Sequence, residues 1–395
     1  MSAAVPRLPI LMLAAGQTLV WAGLFYSFAA LLPVWEADLG WSKAQLSLGF
    51  TLALLAAGLL APLAGRVVDA GAGRALLGFG AIAGALALVG LAQVNSPLMF
   101  IAVWVLIGAI QAASLYEPCF AFVTRATGPG ARVAITRITL IAGFASTLAF
   151  PSLNLLAGAF GWRMAVLIAA LVLALLAAPL MFFGALLLER ESTHSPAQSS
   201  PGGDKAALRA ALARPEFWLI AAAFSFLALN HGILLAHILP LLADRGVAAG
   251  AAILAASMIG PAQVAGRVVM MRLESRLGTG QVALWAFGTA CLSAVVLWLA
   301  GLAPVLVFLF AILQGAAFGV MSILRPVMLA ETLGLDAFGA ISARVARAYI
   351  TASALAPFAG AQLWRLGGYD LVILSALVLA AASLASAMLL RRLER

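Results

Sequence analysis

The sequence predicts an all-α membrane protein, built from twelve transmembrane helices that form two pseudo-symmetric six-helix bundles. Three observations support this fold class: the composition, the recurrence of long apolar stretches, and a polar segment near the middle of the chain. Hydrophobic residues make up 65% of the 395 residues and charged residues only 9%, whereas soluble proteins carry about 25% charged residues. The mean hydropathy is +1.11. We therefore expect the chain to fold within a lipid bilayer.

The apolar stretches are long enough to cross a membrane. A helix of about 20 apolar residues spans a hydrocarbon core of roughly 30 Å. The first stretch is too long for the apolar region of a signal peptide, and no small-residue cleavage site follows it, so we expect it to be retained as the first span. The predicted spans cover residues 8–35, 44–65, 75–94, 97–124, 135–158, 163–188, 216–242, 248–270, 281–301, 304–330, 342–364 and 370–390.

The polar segment separates the sixth span from the seventh. Residues 189–215 are rich in serine, proline and glycine, carry charges of both signs and show no apolar periodicity. This composition is typical of a flexible linker, with a short helix expected at about 205–214. The predicted organisation is therefore an N-terminal six-helix bundle over 1–188, a cytoplasmic linker over 189–215 and a C-terminal six-helix bundle over 216–395.

The basic residues predict the orientation of the chain in the membrane. Only Lys43, Arg163, Arg245 and Arg365 fall on one side of the predicted spans, whereas the other 19 of the 23 lysines and arginines fall on the opposite side. Because basic loops stay in the cytoplasm, we expect both termini in the cytoplasm and the protein in the inner (plasma) membrane. The net charge of +9 is spread singly through short loops, which argues against a nucleic-acid partner.

Motifs of enzymes and metal sites are absent from the sequence. The two cysteines, Cys119 and Cys291, both lie in predicted spans, which excludes a disulfide framework. The chain contains no CxxC, HExxH, GxxxxGK[ST] or GxSxG pattern. We therefore expect a protein that is not an enzyme and needs no cofactor or metal. The expected partners are a small-molecule substrate, protons and membrane lipids, and the expected state is a monomer.

The two halves of the chain are related by an internal repeat. Pro118 pairs with Pro326 at a shift of 208 residues, and Gly161 pairs with Gly368 at a shift of 207. Parallel halves of this kind are one of the repeat types found in secondary transporters. The repeat therefore favours a transporter.

Residues 65–74, GRVVDAGAGR, lie between the second and third predicted spans. They resemble the glycine–aspartate–arginine loop of the major facilitator superfamily, with Gly65, Asp69 and Arg74 at the matching positions and alanines at two others. The resemblance extends over essentially the whole chain. It implies the twelve-helix major facilitator fold and transport by alternating access, with the loop acid capping a helix end and pairing with basic residues to latch the cytoplasmic side.

Two further segments bear on this resemblance. GRVV recurs at 266–269, but the repeat register instead matches the loop to residues 271–278, MRLESRLG. There Arg276 matches, but Ser275 stands at the place of the aspartate, so the second latch is expected to be weaker unless Glu274 substitutes for it.

The segments at 38–50 and 160–163, DLGWSKAQLSLGF and FGWR, are similar to the bacterial monocarboxylate and oxalate–formate antiporter-like branch. This similarity implies a small organic anion as substrate.

Glu117 and Arg325 are the main candidates for the chemistry of transport. An ionisable group within a span costs at least about 2.5 kcal/mol, so it usually faces protein or a cavity. Each residue precedes a proline, and the repeat makes the two positions equivalent, on spans that line the central cavity in the family fold. Three interpretations stay open: local pairing that holds helices together, a cytoplasmic gate between the two charges, or a proton carrier at Glu117 with an anion clamp at Arg325.

His231 and His237 lie six residues apart in the seventh predicted span, so their faces differ by roughly 120°. Each is interpreted either as a partner in a helix–helix hydrogen bond or, for His231 above all, as a contact for substrate or protons. Metal ligation is a weaker alternative, because no ligand spacing supports it.

The remaining candidates are polar points in apolar helices and arginines at helix ends. The first group binds helices to one another or lines a cavity, and comprises Gln17, Tyr26, Gln111 and Gln314. The second group either reaches lipid phosphates or belongs to a gate, and comprises Arg137, Arg344 and Arg347.

The sequence thus predicts a secondary active transporter for a small organic solute, a monocarboxylate-like anion moved with a proton. The alternatives are an exporter of drugs or amphiphilic metabolites, a copper permease, or a membrane sensor.

Overall fold

The computed structural model describes residues 6–191, 204–334 and 338–393. The chain divides into two compact units, Met1–Ala197 and Gln198–Arg395. Within the described residues every regular element is a helix, and this confirms the all-α fold class.

The N-terminal unit contains six membrane-crossing segments. The second and third are joined through a π-helical turn, Val68–Ala72, in which Gly71 has a φ of 86°. The segments, in chain order, are Arg7–Leu39, Lys43–Val67, Gly73–Ala92, Pro97–Thr127, Val133–Phe160 and Trp162–Glu191.

The C-terminal unit begins with the short helix Asp204–Ala213, which confirms the helix expected within the polar segment. Its later segments include one helix of 56 residues, Phe338–Leu393, which is broken at Gly367 and Gly368. The other segments are Pro215–Ala236 continued by Ile238–Asp244, Ala249–Leu277, Thr279–Leu299 and Leu306–Leu333.

Ten helical stretches of the described chain are long and apolar enough to cross a membrane. Two of them, Lys43–Ala92 and Ile341–Leu393, have 50 and 53 residues, about twice what one crossing needs. Each is interrupted by a glycine with positive φ, Gly71 or Gly368. Each therefore provides two crossings, which gives the twelve spans that the apolar stretches predict.

Glycines let two pairs of spans approach closely. A Cβ atom on Gly108 of the fourth span would lie 2.0 Å from the carbonyl oxygen of Ala53 in the second span. In the C-terminal unit, a Cβ on Gly319 of the tenth span would lie 2.3 Å from the carbonyl oxygen of Gln263 in the eighth. Small residues at such crossings allow backbones to pack tightly in a bilayer, where no hydrophobic effect drives helices together.

Candidate substrate and gating residues

The fourth span is interrupted just before Glu117. The helix Pro97–Ser114 ends at Leu115, whose backbone is extended, and a new helix begins at Tyr116. Pro118 has no N–H group, so it cannot bond to the Ser114 carbonyl four residues before it. Gln17 of the first span takes over this role, because its Nε2 donates to the Ser114 oxygen at 2.8 Å. The interruption is therefore stabilised from a neighbouring span.

A second amide makes the reciprocal contact. Gln111 of the fourth span donates through Nε2 to the carbonyl oxygen of Leu24 at 2.8 Å, and Leu24 lies in a π-helical turn of the first span. Gln17 and Gln111 are both fully buried, so each ties the first and fourth spans together. Of the two interpretations of these glutamines, the contacts favour helix–helix binding.

Aromatic rings surround the same interruption. Trp21 lies with its ring centroid 4.7 Å from that of Tyr116, and Tyr116 stacks on Phe120 at 4.8 Å. These three rings are half-buried, whereas Tyr26 is buried against Phe150 at 6.2 Å. Tyr26 is therefore part of the packed interior, and the half-buried rings form an apolar surface beside Glu117.

Glu117 is exposed on the surface of its unit and forms no hydrogen bond or ion pair with another described residue. A carboxylate facing lipid at this depth of a span would be costly. Its surface must therefore face water or protein. The local ion pair that one interpretation proposed for Glu117 is not present among the described residues of its unit.

The tenth span is interrupted at nearly the equivalent position of the repeat. The N–H groups of Ile323 and Leu324 both bond to the Val320 carbonyl, which leaves the Gly319 carbonyl outside the helical ladder. Nε of Arg267 in the eighth span donates to it at 2.8 Å. Arg267 is buried, with only 7% of its surface exposed.

Sequence reasoning missed this buried arginine, although it lies inside the predicted span 248–270. An arginine within a span was the available signal.

Arg325 follows this interruption. Its guanidinium lies 4.6 Å from the centre of the Tyr349 ring, a cation–π contact that holds the group in place. Arg325 is half-buried and forms no ion pair with the described part of its unit. The face of a guanidinium is occupied in such a contact, while its edge keeps N–H donors in the fork that matches a carboxylate.

Four side chains of the C-terminal unit form a buried hydrogen-bond network. Gln314 donates through Nε2 to Asn230 Oδ1 at 2.9 Å and to His231 Nδ1 at 3.3 Å. Its Oε1 lies 2.5 Å from Ser293 Oγ, whose single hydroxyl hydrogen is shared with the carbonyl oxygen of Ala290 at 2.8 Å. Asn230 in turn donates to the carbonyl oxygen of Ala376 at 2.7 Å. The network joins the seventh, ninth, tenth and twelfth spans, and it contains two of the predicted residues, His231 and Gln314.

His237 has a structural position. It lies at the interruption of the seventh span, fully buried, with Nε2 2.8 Å from the carbonyl oxygen of Pro357. A Cβ on Gly360 would lie 2.7 Å from the His237 ring, so the ring fits against a glycine. Among the residues searched, no group of three or more histidines, cysteines or acids could hold a metal ion.

The predicted gating loop follows the second span. Asp69 is exposed, and its main-chain oxygen accepts a hydrogen bond from Arg125 Nη1. Arg74 pairs with Glu189 of the sixth span at 3.2 Å and lies over the Phe182 ring. The side chain of Asp69 forms no hydrogen bond or ion pair with a described residue of its unit. A cavity of about 120 Å³ lies here, lined by Val68, Gly71, Gly73, Phe122, Arg125, Ala126 and Glu189.

The other candidate arginines make few contacts. Arg276, Arg344 and Arg347 are exposed, and Arg137 is half-buried. None of the four forms a hydrogen bond or ion pair with the residues that the structure describes. Gly65 has open space where a Cβ would lie. The side chains of Glu274 and Ser275 are outside the described part of the chain.

The opposite ends of the spans carry a pair of ionic contacts that sequence reasoning missed. Asp38, at the end of the first span, accepts from Trp162 Nε1 at 2.6 Å and from Arg163 at 3.3 Å. In the C-terminal unit, Arg245 donates to Asp370. Asp38 and Arg245 are 207 residues apart, and so are Arg163 and Asp370. The repeat therefore keeps the contact and reverses its charges.

The reversal predicts that the N-terminal pair tolerates inversion. Asp38→Arg alone is expected to lower stability by about 1–2 kcal/mol, because Trp162 loses its charged acceptor and two arginines meet. Adding Arg163→Asp should restore part of this loss and bring the pair to the arrangement of the C-terminal unit. Thermal unfolding of the purified protein in detergent measures both, and a double variant no more stable than the single one would contradict the prediction.

The described elements are two helical units whose fourth and tenth spans are interrupted at nearly equivalent positions, and they define a multi-pass membrane transport protein. The chain belongs to the major facilitator superfamily, whose family model matches residues 13–343. It is a secondary transporter of a small-molecule substrate and not an enzyme.

Solved structures show the same fold. The crystal structure of the nucleoside transporter NupG matches with a TM-score of 0.71 and 16% identity, over 98% of this chain and 100% of that one. A bacterial homologue of the human lysosomal transporter Spinster, in an inward-facing and unoccupied conformation, matches with a TM-score of 0.63 and 16% identity, over 97% and 94% of the two chains. No curated protein matches the sequence. At these identities the likeness concerns the fold alone.

Proposed function

We propose that the protein moves a small monocarboxylate-like anion together with a proton, by alternating access. The observation that carries this proposal is the state of Glu117: an exposed carboxylate within a span, at a helix interruption, without a partner among the described residues of its own unit. A group in such a position can exchange a proton with either side of the membrane as its surroundings change. We assign it as the proton site.

The C-terminal unit supplies the positive charge for an anionic substrate. Arg325 is held over Tyr349, so little side-chain freedom is lost when it binds a ligand, and its fork suits a carboxylate. Arg267, which is buried, contributes a second positive charge near the same interruption, with its Nε bound to the Gly319 carbonyl. Two arginines in one unit favour an anion over a cation.

The orientation and the gate belong to the same proposal. The distribution of basic residues supports both termini in the cytoplasm of an inner membrane. We also propose that the chain acts as a monomer. The loop Gly65–Arg74 then lies on the cytoplasmic side, where Asp69 is available to pair with basic residues in one state of the cycle. From the repeat alone, we propose that Glu117 and Arg325 also act together as a gate.

One observation favours a second function. The half-buried rings of Trp21, Tyr116 and Phe120 adjoin Glu117, and aromatic faces next to a carboxylate suit an amphiphilic cation. Export of such compounds is therefore the alternative.

Uptake into proteoliposomes separates the two functions. With the outside made acidic, we expect accumulation of a labelled monocarboxylate such as L-lactate, and none of tetraphenylphosphonium. The expected accumulation is about tenfold for a one-unit pH difference and one proton per anion. Proton-driven expulsion of tetraphenylphosphonium without lactate uptake would support the exporter and contradict the proposed anion transport.

A further inference from the structure

We propose that His231 is a hydrogen-bond donor of fixed tautomer, which presents Nε2–H to an oxygen of the substrate and does not carry the proton. The inference rests on the proposed transport of a small oxygen-bearing solute, and it names a specificity-determining residue of the C-terminal unit in addition to Arg325. It depends on the order of donors and acceptors in the network around Gln314.

The order starts at a backbone group that cannot reverse its role. The carbonyl of Ala376 can only accept, so the atom of Asn230 that lies 2.7 Å from it must be the Nδ2 donor. This turns Asn230 Oδ1 towards Gln314. An oxygen there requires a donor, and Gln314 Nε2 meets it at 2.9 Å.

The second hydrogen of the same amide nitrogen then points to His231. Gln314 Nε2 lies 3.3 Å from His231 Nδ1, and an NH₂ group only donates, so Nδ1 must accept and carries no proton. The neutral ring therefore holds its hydrogen on Nε2. Protonating Nδ1 would set two donors against each other.

Rotation of the Gln314 amide does not relieve this constraint. It would place Oε1 against Asn230 Oδ1, and turning Asn230 as well would break its bond to Ala376. The tautomer of His231 is thus inferred from the whole network and not from one distance.

The other ring nitrogen of His231, Nε2, is the one available to bind a ligand. The ring is buried, with 4% of the residue surface exposed, and it lies flat on Phe318 with ring centroids 3.6 Å apart. Nε2 has no hydrogen-bond partner in the described part of the chain, and part of its surface is open to solvent. Stacking on one side and Gln314 on the other hold this donor in one direction.

A fixed neutral donor selects for an acceptor atom. A carboxylate or carbonyl oxygen satisfies Nε2–H, whereas a quaternary ammonium offers no lone pair. Because Gln314 and Phe318 lie four residues apart on the tenth span, one turn of a single helix supports both contacts of the ring. The ligand class is therefore a small molecule that presents an oxygen acceptor to the C-terminal unit.

Nitrogen-15 NMR of histidine-labelled protein in nanodiscs tests the proposal, with His231→Gln used to assign the signal. At neutral pH we expect hydrogen on Nε2 and none on Nδ1. L-lactate, uridine and tetramethylammonium are then added in turn. An oxygen-bearing compound should shift the Nε2 signal and tetramethylammonium should not. A proton on Nδ1, or no shift with either lactate or uridine, overturns the inference.

The same titration distinguishes failure of the proposed substrate from failure of this inference. A shift with uridine and not with lactate would contradict the proposed anion substrate and still support the role of His231 as a donor. In uptake assays of whichever compound shifts the signal, His231→Asn keeps a partner for Gln314 but has no donor at the position of Nε2, and should raise KM about tenfold. His231→Gln keeps a donor near Nε2 and should change KM less.

In His231→Gln the rate of uptake is expected to fall with the weaker binding, but the accumulation ratio under a one-unit pH difference should stay about tenfold, since histidine is not the carrier in this proposal. Loss of this accumulation, with normal exchange, would show that His231 carries the proton. His237→Gln serves as the matched control, because His237 bonds to a backbone oxygen inside its own unit. It should lower thermal stability and leave KM unchanged.

Discussion

Glu117→Gln is expected to abolish proton-driven accumulation of substrate while exchange of substrate across the membrane continues. Glutamine has the shape of the protonated acid and cannot release a proton, so a pH difference can no longer be coupled to transport. Because Glu117 has no partner among the described residues of its own unit, the substitution leaves no charged group unpaired there. The expected loss is therefore a loss of coupling and not of folding.

Two assays on one preparation separate these properties. With a one-unit pH difference, the wild type should concentrate L-lactate about tenfold and the variant should only equalise it. Counterflow, which needs no net proton movement, should run at a rate within a few-fold of wild type. Glu191→Gln is the matched control, since Glu191 is an exposed acid at the end of the sixth span. Full accumulation by Glu117→Gln would rule out Glu117 as the proton site.

Gly108→Ala is expected to have the largest effect on folding. Its new methyl group would lie 2.0 Å from the carbonyl oxygen of Ala53, and a backbone atom of a packed span cannot move aside as a flexible side chain can. The second and fourth spans would have to separate along their contact. We expect a loss of stability of about 3 kcal/mol or more, at the upper end of the range for overpacked sites.

Thermal unfolding in detergent, together with the yield of monodisperse protein, measures this effect. Gly158→Ala is the control, because a Cβ at Gly158 would lie in open space. Alanine is the better helix former by about 1 kcal/mol, so this control should be neutral or slightly stabilising. Equal melting temperatures for the two variants would show that the close approach at Gly108 does not limit packing.

Membership of the superfamily could be predicted from the order of residues alone, and the reason is physical. A bilayer requires long apolar helices and forbids unpaired backbone groups, so the spans can be identified from hydropathy alone. The correspondence between the fourth and tenth spans could also be predicted, because Pro118 and Pro326 occupy matching positions of the repeat. The donors that bind the carbonyls released near these interruptions could not be predicted, since any neighbouring helix can supply a donor.

Gln17 and Arg267 illustrate this limit. Gln17 binds the Ser114 carbonyl, which Pro118 leaves without a backbone donor, whereas Arg267 binds the Gly319 carbonyl, which lies seven residues before Pro326 at the interruption around Val320. The first is a neutral amide on the first span and the second is an arginine on the eighth. The repeat predicts that the interruptions correspond. It does not predict which chemical group fills each one, because the two halves have diverged in the residues that surround them.

The sequence by itself determined that this protein folds in a lipid bilayer, and it determined the twelve spans and the family. These features depend on composition and on residue order along single helices. Tertiary structure alone decided which polar side chains are hydrogen-bonded within the protein and which stay available to a ligand. Gln111 and His237 are held by backbone oxygens, Glu117 is left exposed, and His231 has one nitrogen bound and one without a partner in the described part of the chain. Hydrogen bonds between spans join residues about 20 to 165 positions apart, and such pairings exist only once the helices have packed.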